Sequence, residues 1–207
     1  PSNRAALTQI SARPNDWLIL GGDVGETPQQ LAAGLAVLLP KFAQILWIPG
    51  NHELWTMPSE GADGLRGRAR YLEYVRVCRA LGVLTPEDPF PLWPGEGPRT
   101  RICPLFLLYD YSFSPDGYDA DAARAWARED GIICTDERLL HSDPFPTKED
   151  WCAARLASTE ARLDALPPDE QMILEDAAVW GASGPMAALR EIGRAVRGRG
   201  DVDPAVA

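Results

Sequence analysis

The 207-residue sequence predicts an α/β fold. Three observations carry that prediction. Two short apolar runs, "WLILG" at 17–21 and "ILWI" at 45–48, each end in a Gly-containing turn. A well-signalled helix lies between them. Polar residues that can do chemistry, Asp23, Asn51 and His52, follow directly on the carboxyl ends of the two runs. Short unbroken apolar runs of this kind fit buried parallel strands that deliver their last residues to loops. Thr27 reads as the N-cap of the helix, with Pro28 at its first position and Gln30 three residues after the cap. Leu31, Leu35 and Leu38 then share a face, and Pro40 stops the helix. The result is a strand–helix–strand unit with its polar residues gathered at one end.

The remaining elements follow in order. Leu65, Ala69, Leu72, Val75 and Cys78 keep helical spacing, and Gly82 marks a stop. Residues 83–100 are rich in Pro and Gly and read as a loop. "ICPLFLLY" at 102–109 reads as another buried strand, and the Ala-rich stretch 119–129 as a helix. "TKED" at 147–150 is a capping-box pattern. It introduces a helix with Cys152, Leu156, Thr159 and Leu163 on one side, ended by Pro167-Pro168. Beyond 168 the pattern weakens: "MILEDAAVW" suits strand or helix, "PMAALREIGRAV" a helix, and "RGRGDVDPAVA" a frayed tail. The chain therefore divides into a domain at 1–168 and a divergent segment at 169–207, with no internal repeat.

Bulk composition narrows the function. Hydrophobic content of 45% and charged content of 24% are those of an ordinary globular protein. A net charge of -10 repels polyanions, so no nucleic-acid surface is expected. A small phosphorylated substrate is compatible where a cation reverses the local sign. No stretch is long enough for a membrane span, and no signal peptide is seen. The four cysteines, Cys78, Cys103, Cys134 and Cys152, form no CxxC pair and read as buried free thiols, which places the chain in the cytoplasm. Pro1 in place of Met suggests a natural start further upstream.

The chemistry is concentrated in "GGDVGE" at 21–26 and "PGNHE" at 49–53. In open α/β folds ligands bind outside the carboxyl ends of strands. If the two strands are neighbours, Asp23, Asn51 and His52 meet at one rim, and Gly22 and Gly50 let the backbone turn and approach closely. Each motif has a bland reading: Asp23 as a loop cap, His52 as a turn histidine, Glu53 as a solvated acid. The pair of motifs at consecutive strand ends favours the chemical reading.

On those two motifs the sequence resembles the calcineurin-like metallophosphoesterases, in a bacterial branch, over roughly residues 1–166. That family has a GDxxG loop and a GNH[DE] loop; here they stand as "GDVGE" and "GNHE". The resemblance implies a sandwich of two mixed β-sheets flanked by helices, here incomplete at both ends. It implies hydrolysis of a phosphate ester by two divalent ions: manganese, iron or zinc. Asp23 would bridge the ions and Asn51 would ligate one. His52 would give a proton to the leaving oxygen, and Glu53 would orient His52 or its loop. Two such ions clamp the attacking and leaving oxygens and lower the pKa of a bound water.

The pattern is also incomplete. The family's opening Asp-x-His and its later Gly-His-x-His loop are missing, and no histidine follows His141. Only Asp23 and Asn51 can be placed as ligands, too few for a stable pair of ions. His141 is read as a structural loop residue rather than a replacement ligand. Asp110, Asp136 and Glu137 read as surface or capping groups. Arg66, Arg68, Arg70, Arg76 and Arg79 read as a solvated helix face. Trp47 belongs to the core, and Trp55 walls a pocket. The chain alone is expected to be weakly active or inactive, as a fragment or after an altered reading frame near 168. The alternative is a non-catalytic relative that binds a protein or a metal. A chain short of strands exposes a sheet edge, which invites self-association.

Overall fold

Thr27 opens the first long helix by local chemistry alone. The computed structural model, which describes residues 3–61, 63–96, 100–112 and 114–167, shows both halves of its capping box. Gln30 N donates to Thr27 Oγ1 at 3.2 Å, and Gln30 Oε1 accepts from Thr27 N at the same distance. With the shorter α1 (Asn3–Gln9) preceding it, this second helix is α2 (Pro28–Leu38); it buries Leu31, Leu35 and Leu38 completely. It gives way to a 3₁₀ turn, Leu39–Lys41, at Pro40. Lys41 Nζ donates to the carbonyls of Leu7, Thr8 and Ile10, so it closes the C-terminus of α1 with a charge-assisted cap.

Strands β1 (Arg13–Leu20) and β2 (Phe42–Trp47) pair in parallel, with Leu18 opposite Ile45 and Leu20 opposite Trp47. Leu84 extends the other side of β2 as a single bridge: Trp47 N donates to Leu84 O at 2.8 Å, and Leu84 N to Ile45 O at 3.0 Å. β2 is therefore interior, and Ile45, Leu46 and Trp47 are fully buried. β1 is an edge among the described residues, with Ile19 55% exposed.

A helical turn, α3 (Asn51–Leu54), follows β2, and α4 (Gly67–Ala80) packs on the same core. Its buried side differs from the predicted stripe. Leu65 precedes the helix, and Leu65 and Leu72 are exposed; the inward residues are Arg70, Tyr71, Tyr74, Val75 and Cys78. The reason is aromatic area. The Tyr71 and Tyr74 rings stack on Trp47 at centroid distances of 6.4 and 6.0 Å, and rings of that size dominate core energetics.

Residues 102–109 form no strand. Their burial alternates, with Pro104 and Phe106 inside and Leu105 and Leu107 outside. The period of two is thus present, but the pairing is not. Helix α7 (Lys148–Asp164) serves this backbone with side chains: Cys152 Sγ bonds Leu108 O at 2.8 Å and Arg155 Nε donates to Phe106 O at 3.1 Å. α7 is capped where "TKED" predicts, with Asp150 N on Thr147 Oγ1 at 3.0 Å. Of its predicted inner face, Cys152 and Thr159 are buried and Leu156 is exposed. Between these lie α5 (Ala120–Glu129) and the short α6 (Asp136–Leu139).

Two compact units are formed. One contains Pro1–Pro89 and Pro104–Arg155; the other contains Phe90–Cys103 and, of the described residues, 156–167. Both draw on the stretch expected to be one domain. In the second unit β3 (Leu92–Trp93) and β4 (Thr100–Arg101) make a two-residue antiparallel ladder that starts within the predicted 83–100 loop and ends one residue past it. Arg162 lies over the Phe90 ring, 4.0 Å from its centroid. The fold is α/β, but the described residues hold one parallel pair and one antiparallel pair rather than two mixed sheets. The segment 169–207, with its predicted helix and frayed tail, lies outside the described residues.

Among the described residues no helix is long and apolar enough to cross a membrane. All four cysteines are free, but only Cys78 and Cys152 are buried; Cys134 is exposed. Burial pushes the Cys78 thiol up to about 12, so it is an inert packing group rather than a nucleophile.

Candidate active site

The two glycine-bearing loops touch. Gly22 has φ +86°, and a Cβ there would fall 2.0 Å from the Gly50 nitrogen; a Cβ on Gly50 would fall 2.1 Å from Asp23 Oδ1. Only hydrogen fits at either position, so the close approach of the loops depends on both. Asp23 itself sits at φ +58°, a region an L-residue rarely enters and Asp tolerates better than most.

Glu53 holds this arrangement. Its side chain is fully buried and accepts three backbone N–H bonds: from Gly50 at 2.9 Å, Asp23 at 2.8 Å and Val24 at 2.8 Å. One carboxylate thus ties the loop after β1 to the loop after β2, and its desolvation is offset by charge-assisted bonds. Arg70 reinforces the joint from α4. It is 1% exposed, and donates from Nε to Glu53 O at 2.9 Å, from Nη2 to Glu26 O, and from Nη1 to both Glu60 carboxylate oxygens. The sequence reading of Arg70 as part of a solvated face is corrected here. Helical spacing placed it beside Tyr71 and Tyr74, and its guanidinium fork satisfies loop carbonyls that the core would otherwise bury unpaired.

On this base the polar residues converge. His52 N donates to Asp23 Oδ1 at 3.2 Å. The His52 ring lies 3.7 Å from the Trp55 ring, centroid to centroid, with Nδ1 3.3 Å from Glu26 Oε1. The imidazole is therefore held on one face by an aromatic ring and at one nitrogen by a carboxylate, which leaves Nε2 for a ligand. Asn51 Nδ2 donates to Asp136 Oδ1 at 2.9 Å, so its amide oxygen is the atom left to accept. Asp136 also accepts from Trp55 Nε1 at 2.5 Å and is 5% exposed. Tyr109 OH stands 3.5 Å from Asp136 Oδ2 and 3.4 Å from Glu137 Oε1.

Asp23, Asn51, His52 and Glu53 thus occupy one rim, with Gly22 and Gly50 as its hinges. Trp55, read as a pocket wall, packs on the His52 ring; Asp136, read as a surface or capping group, is instead buried and bonded to Asn51 and Trp55; Glu26 and Arg70 complete the surroundings of the rim. Asp136 lies far along the chain in a four-residue helix with no motif, so nothing local signals it. Glu26 sits within "GDVGE", and its acidity beside a histidine-bearing loop was the available clue. The His141 imidazole is held below its ordinary value by burial and by Arg66.

Among the described residues no three His, Cys, Asp or Glu side chains gather closely enough to hold a metal ion. Asp23 and the Asn51 amide oxygen are two oxygen donors, whereas a pair of ions needs several more. What these residues can do by themselves is hold an anion-facing imidazole, place a carboxylate beside it and orient an amide.

The fold and rim define an α/β protein with an acid–imidazole–amide cluster at the carboxyl ends of two parallel strands. Two comparisons locate such a chain among known proteins. It is 47% identical over 154 residues to the [acyl-carrier-protein] phosphodiesterase PptH of Mycobacterium tuberculosis, which covers 74% of this chain and 47% of that protein. The crystal structure of phosphopantetheinyl hydrolase (PptH) from the same organism superimposes with a TM-score of 0.74 at 43% identity. That match covers 80% of this chain and 59% of that one. The chain therefore spans about half the length of the curated relative it matches. No family model matches. These findings overturn the expected membership of the calcineurin-like metallophosphoesterases: the relatives are named for phosphopantetheinyl hydrolysis, and no model of that or any family fits. Two loop motifs are a small part of a chain.

Proposed function

We propose that this chain carries the phosphate-facing rim of a phosphodiester hydrolase that releases a phosphopantetheinyl group from an acyl carrier protein. The observation that carries the reading is the convergence of Asp23, Asn51 and His52 at the ends of β1 and β2, in a chain 47% identical to a protein named for that reaction. In this reading water attacks phosphorus, the bond from phosphorus to the carrier's oxygen breaks, that oxygen takes a proton from His52 Nε2, and the proton the water gives up passes to solvent, from which the imidazole is reprotonated. Glu26 holds the imidazole at Nδ1, and Trp55 fixes its plane. Asp136 turns the Asn51 amide so that its oxygen faces outward. Divalent ions, where bound, would be held by Asp23 and Asn51 together with donors from elsewhere, and no step above passes through them. A cytoplasmic setting goes with it, in keeping with four free thiols.

Two histidines make the test direct. Imidazole NMR signals, assigned with His52→Ala, should show the His52 resonance moving on addition of 4′-phosphopantetheine while that of His141 stays. Release of phosphopantetheine from holo-acyl carrier protein should be slow, and slower in His52→Ala by about 100-fold or more. A His52 signal indifferent to the ligand, together with release that the substitution leaves unchanged, would overturn the reading.

A further inference from the structure

Next to the rim lies a cavity that the phosphate chemistry does not use. It has a volume of about 150 Å³ and is walled by Ala123, Ala127, Ile132 and Ile133, with Tyr111, Arg124 and Glu137 among its polar residues. A continuous set of contacts joins it to the rim. Asn51 bonds Asp136, Tyr109 OH stands between Asp136 and Glu137, and Tyr111 OH donates to Glu137 Oε1 at 2.6 Å.

Two of the charged groups at the cavity, Arg124 and Glu137, are already matched, while Arg128 stands exposed at its edge. Arg124 donates to Asp121 at 2.9 Å and Glu149 at 3.1 Å, approaches Glu137 at 3.8 Å, and covers the Tyr111 ring at 4.8 Å. Glu137 is paired with Lys148 at 3.0 Å. A phosphate would find Arg124 committed and a carboxylate beside it, so this is a poor second anion site. The apolar walls are unusually open: Ile132 is 63% and Ile133 67% exposed. Exposed large aliphatic groups around a concave site suit an uncharged chain with apolar stretches. The volume is of the order at which an apolar cavity of roughly 150 Å³ accepts a six-carbon ring.

We propose that this cavity, between α5 and residues 132–137, seats the uncharged pantetheine arm while the phosphate lies at the His52 rim. The inference rests on the reading above and names the part of the substrate that gives it selectivity. Its walls belong to α5 and the turn after it, and α5 has no buried residue. Filling the cavity from α5 therefore leaves the core intact.

The test titrates the full chain with pantetheine, 4′-phosphopantetheine and inorganic phosphate, following the isoleucine methyl and His52 imidazole signals by NMR. Pantetheine, which has no phosphate, should move the Ile132 and Ile133 methyl signals. Ala127→Trp and, independently, Ile133→Glu should weaken pantetheine and 4′-phosphopantetheine at least tenfold and leave the response of His52 to inorganic phosphate unchanged. If His52 still responds to 4′-phosphopantetheine while both variants bind it as tightly as the parent chain, the cavity assignment falls and the hydrolase reading stands. If 4′-phosphopantetheine leaves His52 unmoved, the hydrolase reading falls and takes the arm assignment with it.

Discussion

Glu53 shows how much one side chain can decide. A carboxylate with no exposure has to find hydrogen bonds inside the protein, and Glu53 finds three backbone donors across two loops. It thereby holds Asp23 at a positive φ and keeps Gly22 against Gly50. Glu53→Gln replaces one acceptor oxygen with an amide group that faces backbone N–H, so a donor meets a donor. The expected cost is about 2–3 kcal/mol, read as a lower urea midpoint. The His52 and Asp23 signals should shift with it, since the loops separate. Sequence left Glu53 open between orienting a loop and facing solvent. Nothing in "PGNHE" says that the donors lie in "GDVGE"; only the parallel register of β1 and β2 brings them there.

Elements were legible where their signals are local. Thr27, Pro28 and Gln30 are neighbours in the chain, so the start of α2 needed no tertiary help. Thr27→Ala removes the acceptor for Gln30 N and is expected to cost about 1 kcal/mol in thermal or urea unfolding, with the end of α2 unchanged. The pairing of residues 102–109 could not be read in the same way. Alternation indicates which side chains point inward, but a strand also needs a neighbour, and here the carbonyls of Phe106 and Leu108 are met by Arg155 and Cys152 of α7. The face of α4 was misplaced for a related reason: periodicity gives the spacing of buried positions, while the choice of stripe fell to the rings that fit Trp47.

At the scale of the molecule, acid sensitivity should come from the cluster around the cavity. Burial raises the Glu137 carboxyl, but hydrogen bonds from Tyr111 and Lys148, with the charges of Lys148 and Arg124, bring it below its ordinary 4.5. A folded value below the unfolded one means stability that is complete above about 4.5 and is lost as pH falls through the folded value. Urea midpoints should therefore drop as pH falls below about 4.5, and the drop should be shallower in Glu137→Gln. Tyr111 moves the opposite way: burial and its bond to Glu137 push it up to about 12, so it remains a donor through the neutral range.

The sequence by itself determined the strand–helix–strand unit, its caps, and the pair of polar loops at its carboxyl end. Those features depend on residues a few positions apart, where hydrophobic period and capping geometry act directly. The tertiary structure alone decided that Glu53 and Arg70 are buried clamps, that Asp136 bonds the Asn51 amide, and that a cavity with apolar walls is joined by contacts to the rim. Each of these joins residues distant in the chain, and desolvation, which fixes what a buried charge must bond, exists only once the chain has closed around it.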